Sequence, residues 1–182
     1  MMENIENQKP TSIGKPALQH GIMAGIVLIV ISIIYYLTGQ QQHWSSGVLS
    51  YLVLIGVIVF GLKTYRDEML DGYIKYGRAL GFGVLVSLFA GIIAGLYTFV
   101  FYKFINPDAM QMMLIEAEQK VIESSPNISD RELDMAMSFT KVFMNPYFLF
   151  VSSVLAMTFF GTIFSLIIAA FLKKEVPFDT EE

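Results

Sequence analysis

Between Lys63 and Arg78 the chain sets three carboxylates, Asp67, Glu68 and Asp71, among the cations Arg66 and Lys75. Carboxylates grouped this way could hold Mg²⁺ against a lipid phosphate, with arginine on the phosphate oxygens. That chemistry needs further acids one or two helical turns on, and residues 79–102 carry none. The expectation is therefore a topological one. Lys63, Arg66, Lys75 and Arg78, with Lys173 and Lys174, hold the chain at a lipid interface, and Tyr65, Tyr73 and Tyr76 anchor it there. Soft thioethers offer a second chemistry. Met110, Met112, Met113, Met135, Met137 and Met144 lie in one acidic stretch, and methionine ligates Cu(I). With no cysteine and only two distant histidines, His20 and His43, the methionines read instead as adaptable helix filler. No Ser-His-Asp arrangement, glycine-rich phosphate loop or HExxH motif occurs, so neither an enzyme nor a cofactor nor a metal site is expected.

Small residues carry the other clear spacing. Gly83, Ser87, Gly91 and Gly95 recur every four residues, and Gly77 with Gly81 forms a second pair just before them. Gly161 and Ser165 repeat the interval late in the chain, as Gly21 and Gly25 do early in it. Small side chains one helical turn apart let two backbones approach closely, a gain that lipid cannot supply. The expectation is packing of the third span on the fourth within one chain; a homodimer through the same ridge is the alternative.

The elements that carry these residues follow from composition. Of 182 residues 54% are apolar and 15% charged, with a mean hydropathy of +0.57, which places the chain in the membrane class. The net charge of −4 excludes a basic nucleic-acid binder. Apolar runs at about 21–37, 45–62, 79–102 and 147–172 predict four transmembrane helices, an all-α polytopic fold. The runs are continuous rather than alternating, which excludes a β-barrel. Residues 1–20 form a polar N-terminal tail without a cleavage site beyond Leu37, and 173–182 an acidic C-terminal one. Eight of the twelve Lys and Arg fall on the side of the termini, so both ends are expected in the cytoplasm.

The connection from 106 to 145 predicts a helical hairpin outside the membrane. Asn106-Pro107 is a start signal, with Met110, Met113, Leu114, Ala117 and Val121 on one face. Ser129 and Glu132 predict a capping box for a second helix, whose Leu133, Ala136, Met137 and Thr140 share a face. No charged residue or histidine falls within any span, which argues against an ion-coupled transporter acting alone. Span hydroxyls such as Ser32, Ser87, Thr98, Ser153, Thr158, Thr162 and Ser165 could line a channel, but most are expected to bond back to their own helix.

Three stretches resemble a known family: Tyr65-Arg66-Asp67-Glu68, Tyr76-Gly77-Arg78-Ala79-Leu80-Gly81, and Tyr102-Lys103-Phe104-Ile105-Asn106-Pro107-Asp108. From about His20 to Leu172 the chain is similar to four-helix inner-membrane proteins of the Bacteroidota that form a domain of unknown function. The resemblance implies a bacterial cytoplasmic membrane and supplies no activity. Together these readings favour a non-enzymatic scaffold, accessory subunit or assembly factor, in contact with lipid and acting through a membrane protein partner. A small transporter or channel, formed by a homodimer, is the alternative. A channel should show a continuous polar path. A partner protein should show a closed bundle with exposed apolar side chains on the hairpin, around Met113 and Met137.

Overall fold

The computed structural model describes residues 12–40 and 44–174. Among them are six α-helices and no strand: α1 (Gly14–Leu37), α2 (Trp44–Met69), α3 (Tyr76–Val100), α4 (Pro107–Ser124), α5 (Asp130–Phe143) and α6 (Pro146–Leu172). Four of them, α1, α2, α6 and α3 with its extension to Ile105, are long and apolar enough to cross a membrane. Only 22–33% of the most apolar window of each is buried inside the protein, so most of that surface needs a non-aqueous environment. These helices suggest a multi-pass membrane protein in contact with a lipid bilayer. Lys9, His43 and the acidic residues after Lys174 lie outside the described residues.

The helices outrun the apolar runs that define them, because a charged residue does not end a helix. α1 starts seven residues before Gly21, with Pro16 in its first turn, where the missing N–H costs no hydrogen bond. α2 continues past Leu62 through Lys63 and Arg66. It stops where Asp71 and Gly72 take positive φ, 52° and 84°, a conformation that glycine adopts without penalty. The stretch from Lys63 to Arg78 is thus mostly helix end and helix start, with a short turn between. α3 passes into a π-helical turn, Phe101–Ile105, closed by the Asn106 N–H on the Phe101 carbonyl at 2.8 Å.

α3 is the central helix, packed on α6 along one face and on α1 along another. The crossing with α6 is antiparallel and reciprocal. A Cβ on Gly83 would strike Ser165, and one on Gly161 would strike Ser87. Further along, a Cβ on Gly91 would lie 3.2 Å from Val154 Cα, and one on Gly95 3.1 Å from the Phe150 carbonyl oxygen. The four-residue ridge is therefore filled by α6 of the same chain, so a second copy would have to use another face. Gly21 and Gly25 set α1 against α3 in the same manner, meeting Phe89 and Ile93. Gly77 and Gly81 do not act this way. Nothing lies within 4 Å of a Cβ on Gly77, and Gly81 would reach only Ile13 Cδ1 at 3.6 Å. The pair is turned away from the α6 contact. α2 closes the bundle, with Leu54, Ile58, Leu62 and Tyr65 buried against Phe82 and Val86 of α3.

The hairpin of α4 and α5 forms as its caps dictate. The Asn106 side chain accepts from the Ala109 N–H at 3.2 Å, and Pro107 opens α4. The Glu132 carboxylate accepts from the Ser129 N–H at 3.0 Å and from its hydroxyl at 2.7 Å. Asn145 caps α6 through the Tyr147 N–H at 2.9 Å.

Candidate functional site

The residues that could do chemistry are gathered at two opposite ends of the bundle. At the charged end, Arg66 Nε donates to Asp67 Oδ1 at 2.7 Å, and its Nη1 donates to the Leu172 carbonyl at 3.1 Å. Arg78 Nε donates to the Tyr65 hydroxyl at 2.9 Å, with the guanidinium 5.5 Å from the centre of that ring. Tyr65 in turn stacks on Phe82, 5.3 Å away and 11° from parallel. The two arginines are thus bonded into the protein. Lys63, within the last two turns of α2, and Lys75, at the N-cap of α3, are exposed, Lys173 is exposed just beyond α6, and the Lys174 ammonium sits 5.3 Å from the Tyr73 ring centre. Backbone hydrogen bonds of 2.8 and 3.0 Å pair Ile74 with Lys174, which ties the α2–α3 turn to the end of α6.

Asp67 is engaged with Arg66, while Asp71 sits in the turn. Among the described residues no group of three or more His, Cys, Asp or Glu side chains could hold a metal ion. Of the hairpin methionines, Met110 and Met137 are buried, whereas Met112 and Met135 are exposed. His20 has a structural place that the sequence did not disclose. Its Nδ1 donates to the Pro16 carbonyl at 2.9 Å, and its ring meets Phe82 edge-on, against the flat surface that Gly61 leaves on α2. The early Pro16–His20 interval of four was the available signal.

At the hairpin end the helices part around a pocket of about 240 Å³. α1 lines it with Ile31, Ser32 and Tyr35, α2 with Ser46, Gly47 and Ser50, α3 with Tyr97 and Thr98, and the π turn with Phe101 and Tyr102. Seven of the ten side chains are hydroxyls and none is charged. Several are already engaged. Ser50 Oγ donates to the Ser46 carbonyl at 2.8 Å, Thr98 Oγ1 to Ala94 at 3.0 Å, and the Tyr35 hydroxyl lies 3.0 Å from Ser45 Oγ. The pocket can hydrogen-bond an uncharged polar group, but it has no general base and no group to activate a nucleophile. Grouped serine and tyrosine at three helix ends was the only hint of it in the sequence. Beside it, Lys103 Nζ donates to the Tyr147 hydroxyl at 2.7 Å and lies 5.0 Å from the Phe99 ring centre, fastening the π turn to α6.

Fold and geometry define a class, a helical bundle with four candidate membrane spans and a capping hairpin. The sequence profile of the family described as "Protein of unknown function (DUF4199)" matches residues 19–174, and the chain belongs to that family. It has no significant match among curated proteins or among solved structures.

Proposed function

We propose that this protein acts through partners rather than through chemistry or conduction. It serves as a scaffold, accessory subunit or assembly factor in the bacterial cytoplasmic membrane. The observation that carries this reading is the closed interior. Leu54, Ile58, Leu62, Phe82 and Val86 are each at most 1% exposed and fill the bundle between its two ends. The span hydroxyls support it as well, because Ser87, Ser153, Thr158, Thr162 and Ser165 all donate to carbonyls of their own helices. The contact surface we assign is the outer side of α4. There Met112, Ile115 and Ile122 stand exposed between Glu116, Glu118 and Glu123. Met113 and Met137 are turned inward and leave this role to those neighbours. The distribution of Lys and Arg supports cytoplasmic termini, with the hairpin on the far side.

Purification in mild detergent through a C-terminal tag, with mass analysis of whatever accompanies the chain, tests the reading. A stoichiometric partner that Ile115→Glu releases supports it. The alternative, a small homodimeric transporter or channel, draws on the hydroxyl-lined pocket. A clean homo-oligomer that passes solute across vesicles would replace the partner reading with that one.

A further inference from the structure

α5 presents three sectors where an amphipathic helix needs two. Leu133, Ala136, Met137 and Thr140 are wholly or partly buried within the protein. Asp130, Arg131, Asp134, Ser138 and Lys141 form an exposed polar sector. Between them runs a third stripe, Met135, Phe139, Val142 and Phe143, at i, i+4, i+7 and i+8, which begins one turn after Glu132, the exposed carboxylate on the same face that is engaged in the cap with Ser129; Phe139 is 70% exposed and Val142 61%. We propose that α5 lies in the membrane interface, with this stripe seated among lipid headgroups and upper acyl chains.

Continuity identifies the occupant. Phe143 packs against Phe148 of α6, ring centres 5.0 Å apart, across the two-residue joint. From there the exposed apolar surface runs on through Tyr147, Val151 and Leu155 along a candidate span. No charged residue interrupts the chain from Val142 to Leu172. The stripe is thus an extension of the surface that α6 offers to lipid, and Lys103 beneath its aromatic neighbours marks the boundary level. A helix with an apolar sector beside a charged one settles in the interface plane, sunk by about 5–10 Å. α4 makes the contrast, because its exposed Ile115 and Ile122 alternate with glutamates that such burial would desolvate. The inference is independent of the partner reading, which uses α4.

The chain lacks cysteine, so single thiols can be placed without background. Phe139→Cys, Val142→Cys and, on the polar sector, Ser138→Cys would each carry a polarity-sensitive fluorophore in phosphatidylcholine–phosphatidylglycerol vesicles. The expected result is blue-shifted emission at 139 and 142, quenched by lipid bearing a shallow nitroxide and resistant to aqueous iodide. The label at 138 should show the reverse. Equal iodide quenching at all three sites would overturn the proposal by placing the stripe in water. Protection of 139 and 142 from both quenchers would also overturn it, by placing protein over the stripe; dependence on the protein-to-lipid ratio would then identify a second copy.

Discussion

Ser87 and Ser165 each return a hydroxyl to the glycine carbonyl one turn back, at 2.8 and 2.6 Å, and so bring no unsatisfied polar atom to the helix crossing. Each also fills the space that the facing glycine vacates, Ser165 opposite Gly83 and Ser87 opposite Gly161. A methyl added at Gly83 has nowhere to go, with Ser165 on one side and Ile58 Cγ2 at 3.2 Å on the other. Gly83→Ala should cost about 1–3 kcal/mol, the usual penalty for overpacking. The double variant Gly83→Ala with Ser165→Gly should recover most of that loss, because the atoms it would strike are gone. Unfolding in detergent, followed for both variants, measures the coupling; simple additivity would show that the crossing is not the contact described. Gly77→Ala should do the opposite and stabilise α3 slightly, by less than the ~0.5–1 kcal/mol of a mid-helix site, since the position is open but lies in the first turn. The four-residue spacing was legible in the sequence for all these glycines, but spacing has no direction. Gly81 and Gly83 stand two residues apart, about 200° around a helix, so their two ridges cannot serve one partner.

The elements most legible in the sequence were those fixed locally. The Ser129–Glu132 cap of α5 depends on residues within one turn, and it forms as the spacing predicts. Its electrostatics give a pH dependence. The Ser129 hydroxyl, and then the Ser129 N–H, hold the Glu132 carboxyl below its ordinary value. A carboxyl depressed on folding contributes stability at pH above its unfolded pKa of about 4.3, and that contribution disappears as pH falls through the lower folded value. Protection factors of the amides at Ser129–Leu133, taken relative to the intrinsic exchange rate at each pH, should therefore fall on acidification through this range, and Glu132→Gln should flatten the profile. An unchanged profile in the variant would detach the effect from the cap. Less legible were features that depend on distant contacts. The outward stripe of α5 went unread because the face of Leu133, Ala136, Met137 and Thr140, which the structure buries, already satisfies the helical period. The π turn at Phe101–Ile105 had no sequence marker.

At the scale of the molecule, the bundle is latched at one end and parted at the other. Arg66 on the Leu172 carbonyl and the Ile74–Lys174 pair join the middle turn to the end of α6. Arg66→Ala should raise amide exchange at Ile74 while leaving the interior helices protected; uniform protection would mean that the latch has no mechanical role. Four spans and the hairpin could be counted from hydropathy, which gives no packing order because all four spans are about equally apolar; the small-residue spacing is what pointed the third span to the fourth. α3 pairs with α6 rather than with its sequence neighbour α2 alone, and this sets a timetable for synthesis. Ser165 follows Gly83 by 82 residues, a delay of roughly 4–16 s at about 5–20 residues per second. Throughout that interval the glycine ridge of α3 is already in place and unfilled. The nascent chain therefore presents its most adhesive groove to any passing helix before its own partner exists, and the whole of α4 and α5 must be made before the groove can be claimed.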